Sequence, residues 1–339
     1  MKKYYIIILL SLSIDICNAQ SKEPFQIKKF FEVDIKNIKV NTSGGGINVR
    51  GNSQSNTEVR VYLKMNNWKG EASKEDLEKE LEKYILEIKY ENASIVCLAK
   101  PKDLSGKNNK LSISFEVDCP INVDVNLATS GGGIHLQNLE GNLEFKTSGG
   151  GITVSDLKGK INGKTSGGGI KLTDCDGMIS MKTSGGGIKA NNAIGNIYLA
   201  TSGGAIDLEQ LNGTIKAHTS GGSINSSHIK GSLEVSTSGG SIHLNNISGN
   251  LIAKTSGGGI NADIVKLGEV LTLSTSAGNI HANLPFSEGM NLEIRGNKIK
   301  SDKLSKVSKN LNSGLVNGKV NGGGADVKIT ASAGIVYID

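Results

Sequence analysis

TSGG recurs every 18 residues in this chain, and a spacing that regular restricts the fold to a stack of like coils. The threonines that open the motif are Thr129, Thr147, Thr165, Thr183, Thr201, Thr219, Thr237 and Thr255, which bound seven uninterrupted 18-residue coils. A 20-residue coil then reaches Thr275, an outlying copy, TSGGGINV, begins at Thr42, and a degenerate one, ASAGIVYI, closes the sequence after Thr330. A repeat of this length is one supersecondary unit. It cannot bury its apolar face alone, so its neighbours must do so.

With the threonine as slot one, the coil reads T-S-G-G-x-I-x-h-x-x-h-x-G-x-h-x-h-x, where h is mainly apolar. Slot six holds Ile134, Ile152, Ile170, Ile188, Ile206, Ile224, Ile242 and Ile260, and slot fifteen runs Leu143, Ile161, Ile179, Ile197, Ile215, Leu233 and Leu251. Period-two alternation around both slots predicts strands with one buried face. Each coil is expected to hold two short strands joined by two turns, one at the Gly run and one centred on the Gly of slot thirteen. Stacked about 4.8 Å apart, like slots superpose into Ile and Leu columns. The slot-one threonines follow the same inward phase and are expected to form a hydroxyl ladder. Glycine supplies 45 of 339 residues without a Gly-X-Y period, which excludes collagen. Pro24, Pro101, Pro120 and Pro285 all fall outside the coils, where a missing ladder donor does no harm.

The expected fold is all-β dominated: a parallel β-solenoid, or β-helix, of about eight 18-residue coils with a small mixed α/β N-terminal cap. The expected divisions are a signal peptide at 1–19, a cap region at 20–128, the solenoid at 129–283, and C-terminal strands and cap at 284–339. Within the cap, Ser73-Lys74-Glu75-Asp76 resembles a capping box and Leu77 and Leu81 give a helical stripe. Tyr84, Leu86, Ile88 and Tyr90 switch to strand alternation, and strands around Ile95 and Ile113 follow. A Lys-rich stretch around Lys300 to Lys309 reads as mobile.

Lys2 and Lys3 precede an apolar run from Tyr4 to Leu12, followed by small and polar residues to Ala19. That is the pattern of a secretory signal peptide, with the mature chain starting near Gln20 and exported to periplasm, outer surface or medium. The apolar run is too short to span a bilayer, and no transmembrane segment is expected in the mature chain. Cys17 raises a lipid anchor, but Ser13-Ile14-Asp15-Ile16 lacks the Leu-small-small pattern that such processing reads. The formal charge of +6 falls to about +5 without Lys2, Lys3 and Asp15. So mild and dispersed a charge excludes a nucleic-acid partner. Cys97, Cys119 and Cys175 then remain, an odd set that matches no zinc spacing; a disulfide between Cys97 and Cys119 is left open.

Candidate chemistry is sparse. Gly163-Lys164-Thr165 imitates the end of a P-loop, but Lys158 stands where its first glycine belongs. The Gly runs could cradle an anion with backbone amides, although turn geometry explains them without a ligand. Asp156, Asp174, Asp176 and Asp207 do not follow the glycines at one fixed calcium-binding offset. His135, His243 and His281 share outward slot seven, too far apart to share a metal, and Cys175 reads as a core residue. No cofactor is expected. Lys146, Lys164 and Lys182 share slot eighteen in consecutive coils, a possible anion-binding ladder with Lys171 and Lys189 nearby.

The export signal, the segment FEVDCPINVDVNLATSGGGIHL and the TSGGGI coils with a mid-coil Gly resemble the bacterial putative-adhesin β-solenoid family, a domain of unknown function. The resemblance runs from about Phe31 onward. It implies a right-handed-type solenoid at the cell envelope and supplies no catalytic residues. The function expected is therefore non-enzymatic: a secreted or envelope adhesin, surface-binding or scaffold protein. Its partner would be an anionic surface polymer or an envelope protein. A polysaccharide-active enzyme on a β-helix and a purely structural envelope component are the alternatives. Only Phe145 and Tyr198 among the coil residues are aromatic, whereas sugar-binding faces commonly use aromatic platforms.

Overall fold

The computed structural model describes residues 23–31, 34–53, 56–66, 72–103, 110–306 and 314–339. The signal segment 1–19 and residues 307–309 of the Lys-rich stretch lie outside the described residues. The chain forms two compact units, Met1–Thr147 and Ser148–Asp339.

The first unit contains β1 (Gln26–Phe30), β2 (Asn37–Thr42), β3 (Ile47–Asn52), β4 (Thr57–Met65), α1 (Lys74–Leu81), β5 (Tyr84–Glu91), β6 (Ser94–Pro101), β7 (Leu111–Pro120), β8 (Asp124–Thr129) and β9 (Ile134–Thr147). Strand β2 lies parallel between β6 and β8, and β3 lies parallel between β7 and β9. Thr42 is in register with Thr129, and Ile47 with Ile134. The outlying TSGGGINV copy is thus a coil in its own right, stacked on the coil that opens at Thr129, because its slot residues meet identical slots. Parallel pairing thus begins before residue 128, and what closes the layer is antiparallel: β5 on β6, β4 on β7 and β1 on β4.

Helix α1 carries the expected capping box, in which the Ser73 hydroxyl accepts the Asp76 N–H and the Asp76 carboxylate accepts the Ser73 N–H. Its stripe is weaker than the sequence suggested. Leu77 and Leu81 are half-buried, and the buried residue is Glu80, paired with Lys83 at 2.8 Å.

The second unit contains β10 (Ile152–Lys164), β11 (Ile170–Lys182), β12 (Ile188–Thr201), β13 (Ile206–Thr219), β14 (Ile224–Thr237), β15 (Ile242–Thr255), β16 (Ile260–Thr275), β17 (Ile280–Asn283), β18 (Met290–Lys300), β19 (Leu315–Val320) and β20 (Ala325–Ile338). From β10 to β16 the strands pair in parallel, slot against slot, so that Ile152, Ile170, Ile188, Ile206, Ile224, Ile242 and Ile260 form one column, each at most 2% exposed. Strand β20 pairs with β16 and β17, with Ala331 in the threonine slot opposite Thr275; β18 lies on β20, and β19 runs antiparallel on β18.

Each coil is one long bent strand rather than the two expected. Its inward set is slots six, eight, eleven, fifteen, seventeen and one, so strict alternation fails twice. Between slots eight and eleven the phase is absorbed at slot ten, where Asp156, Asp174, Asn192, Gln210, His228 and Asn246 take φ of 50–58°. Asn and Asp tolerate that left-handed region best, which explains their frequency there. Between eleven and fifteen the phase is kept, but the slot that alternation would bury, thirteen, is a positive-φ glycine, for example Gly195 with φ 122° and Gly213 with φ 125°.

The expected hydroxyl ladder is also corrected. The threonines are buried but do not bond to one another. Each hydroxyl donates to the slot-four glycine carbonyl of the preceding coil, as in Thr183 to Gly168 and Thr201 to Gly186, both at 2.7 Å. The same oxygen accepts the slot-four N–H of its own coil, Gly186 N–H to Thr183 and Gly204 N–H to Thr201, at 3.4 and 3.3 Å. A relay of glycine peptide and threonine hydroxyl runs through the stack. It requires close approach: a Cβ at Gly186 or Gly204 would lie 2.3 or 2.2 Å from the preceding slot-four carbonyl oxygen.

Two substitutions test the relay. Thr201→Val strands the Gly186 carbonyl and the Gly204 amide and is expected to cost about 1–3 kcal/mol. Gly204→Ala drives a methyl into the Gly186 carbonyl and is expected to cost about 3 kcal/mol. Gly169→Ala serves as control in urea denaturation, because slot five already carries Ala205, Ser223 and Ser241. Unchanged midpoints in both relay variants contradict the scheme.

Candidate functional site

The parallel ladder uses the backbone donors and acceptors of the coils, so chemistry is left to outward side chains. The slot-three and slot-four Gly amides are engaged: Gly185 N–H donates to the Ser166 carbonyl and Gly203 N–H to the Ser184 carbonyl of the preceding coil, and Gly186 and Gly204 N–H to Thr183 and Thr201, which takes these amides from the nest considered from the sequence.

Slots seven and nine form an open groove, about 790 Å3 in volume, on β11 to β16. Slot seven presents Lys171, Lys189, Asp207, Asn225, His243 and Asn261 in register, and slot nine adds Thr173, Asn191, Glu209, Ser227 and Asn245. Neighbouring strands hold each other's groups. Asn225 donates to Asp207 at 2.8 Å, Asn191 to Glu209 at 2.9 Å, and Asn261 meets His243 Nδ1 at 3.1 Å. Lys189 stands 3.9 Å from Asp207. The column continues into His281, whose ring stacks on Tyr337 at 4.2 Å and 7°, with the Lys300 ammonium 5.1 Å from the Tyr337 ring on the far strand.

Of the expected lysine ladder, Lys164 and Lys182 are direct cross-strand neighbours, both exposed; Lys146 is exposed on β9 of the first unit. Lys182 places its ammonium 5.0 Å from the Tyr198 ring. Ala200 interrupts the column, and His218 follows, bonded through Nδ1 to Ser236 at 2.9 Å. A second groove of about 440 Å3 lies along these residues and the slot-two serines Ser166, Ser184, Ser202 and Ser220. The three slot-seven histidines have separate surroundings. Among the described residues no group of three His, Cys, Asp or Glu side chains is placed to hold a metal ion.

Cys97, Cys119 and Cys175 are free and buried, so the disulfide left open between the first two is not formed. Burial pushes the Cys97 and Cys119 thiols up to about 12 and that of Cys175 to about 11, which keeps all three protonated and unreactive.

Sequence reasoning missed a charge network in the first unit. Arg60 on β4 reaches Asp118 at 2.6 Å, Glu58 at 2.7 Å and Glu116 at 3.3 Å, while Arg50 on β3 reaches Asp118 at 2.8 Å. The signal was the period-two run Glu58, Arg60, Tyr62 facing Glu116 and Asp118. Burial raises the Asp118 and Glu58 carboxyls. Hydrogen bonds and charge from Arg50 and Arg60 on Asp118, and from Lys29 and Arg60 on Glu58, more than reverse this and hold both below the ordinary range.

Residues 170–339, half of the chain, match the family described as Toastrack DUF4097. The chain belongs to that family. Three solved structures align over nearly the whole chain at low likeness. A putative cell adhesion protein from Clostridium sporogenes has 11% identity and a TM-score of 0.19, covering 92% of this chain and 97% of its own. A putative adhesin from Bacteroides fragilis has 10% identity and a TM-score of 0.27, covering 94% and 98%. A putative lipid binding protein from Parabacteroides distasonis has 12% identity and a TM-score of 0.27, also covering 94% and 98%. Scores this low bear no weight on the function of the Toastrack chain. No curated protein matches it in sequence. Among its described residues no helix is long and apolar enough to cross a membrane.

The depressed carboxyls give a pH signature with a definite sign. Their contribution is full above the unfolded Asp and Glu values near about 4 and fades as pH falls through the lower folded values. Asp118→Asn is therefore expected to destabilise the protein most at neutral pH, with the gap to the parent closing towards about pH 3. Urea midpoints across that range check it; a constant gap contradicts the assignment.

Proposed function

We propose that this chain is a non-enzymatic, exported protein of the bacterial cell envelope that binds a surface polymer, as an adhesin or binding scaffold does. The observation that carries the reading is the slot-seven groove. It is long, open and lined by polar groups that neighbouring strands hold in place before any ligand arrives, which lowers the ordering cost of binding. Asp207 and Glu209 stand on one strand and one face, each bonded to a carboxamide. That arrangement suits hydrogen bonding to a ligand better than flanking one of its bonds for acid-base attack. The leader pattern at 1–19 supports export. Fractionation and N-terminal sequencing are expected to find the product outside the cytoplasm, beginning near Gln20; a full-length cytoplasmic product contradicts it.

A second reading places an anionic polymer on Lys164 and Lys182 of the expected ladder. It is favoured by the pairing of Lys164 with Lys182 and by the ammonium of Lys182 over Tyr198. Salt separates the two. In the groove Lys171 and Lys189 balance Asp207 and Glu209, so retention on envelope particles is expected to hold when salt rises from about 0.05 to about 0.5 M. It is expected to fall in the Asp207→Ala, Asn225→Ala double variant. Ladder binding falls with salt and with Lys164 and Lys182 changed to Gln. Retention that neither variant alters overturns both.

A further inference from the structure

We infer that the slot-seven groove takes a linear, hydroxyl-rich glycan laid along the stacking direction, one sugar ring to each coil. The inference rests on the groove reading and adds the ligand's class and orientation. Adjacent strands are about 4.8 Å apart, close to the length that one pyranose ring adds to an extended chain. From Lys171 on β11 to Asn261 on β16 the groove crosses six strands, roughly 24 Å, the reach of about six sugars.

The chemistry selects among polymers. The charges of Lys171, Lys189, Asp207 and Glu209 cancel, so nothing here favours a polyanion or an anionic lipid surface. An added peptide strand needs a free sheet edge. On β11 to β15 both neighbours are already paired. What remains is a row of amide donors, carboxylate acceptors and hydroxyls, among them Asn191, Asp207, Glu209, Asn225 and Ser227, which matches hydroxyls spaced at the same repeat. No Phe, Tyr or Trp lines the groove. Beyond it, the His281 and Tyr337 rings stack on each other. Each sugar is thus held by exchange of hydrogen bonds with water, a small net gain, and binding becomes firm only when several rings engage together.

Length dependence is the test. Retention is measured on cellulose, xylan, chitin and bacterial sacculi, and affinity by calorimetry for fragments of each retained polymer from disaccharide to octasaccharide. At least one polymer is expected to be retained. Its dissociation constant should fall by at least about tenfold from disaccharide to hexasaccharide and stay level beyond. Asn225→Trp places a ring across the middle of the groove at an exposed site, so the fold, followed by circular dichroism, is expected to survive. The plateau should shorten to about three sugars, the strands left on the Lys171 side. Failure of all four polymers, an affinity independent of length, or a plateau unmoved by Asn225→Trp overturns the glycan. If envelope particles are still retained and Asn225→Trp abolishes that retention while no polymer binds, the groove stands and the glycan falls. If the parent protein is not retained on envelope particles at all, the groove reading falls as well.

Discussion

The structure depends on how closely two glycine peptides approach each other at slot four. At that corner a threonine hydroxyl sits between the carbonyl of one coil and the amide of the next, and only a residue without Cβ leaves room for it. Thr and Gly therefore recur as a pair, since each is useful only because the other is there. The hydroxyl lets a polar side chain occupy an inward slot at no cost in unmet hydrogen bonds. A chain of such bonds also polarises its members, so the corner is firmer than its separate contacts.

Once the corner is fixed, the stack spacing is fixed, and so is the direction of every other side chain. Apolar residues fill most of six, eight, eleven, fifteen and seventeen, with Ser226 a buried exception at slot eight, and the outward slots are free to vary. Slot seven uses that freedom, running from lysines through carboxylate and carboxamide to imidazole within the second unit. The outward groups of slot seven therefore repeat at a spacing that the core dictates.

The fold was legible because the repeat tied each slot to a single environment. The Ile column, the buried Cys175 and the Ser73 cap were all evident from local pattern. What escaped was what pattern does not encode. Slot ten looked variable because Asn, Asp, Gln and His all serve one backbone angle there. The Thr42 copy looked isolated because 87 residues separate it from Thr129, and only pairing showed that it stacks on that coil. The Lys ladder was read as three equal members, whereas the structure pairs Lys164 with Lys182 and sets an alanine next in line. The groove was missed because its residues differ from coil to coil, and a search for recurring residues passes over a column that varies.

The placement of β20 bears on how the second unit is made. Strands β10 to β16 can be laid down one after another as they leave the ribosome or a translocon, each finding its predecessor already in place. Strand β18 is different: it is synthesised before β20 yet lies on β20, which itself lies on β16 and β17. Until β20 arrives, β16 presents an unpaired edge and β18 has no parallel partner, the state in which sheet proteins join to the wrong chain. Closure of this part of the sheet therefore waits on β20.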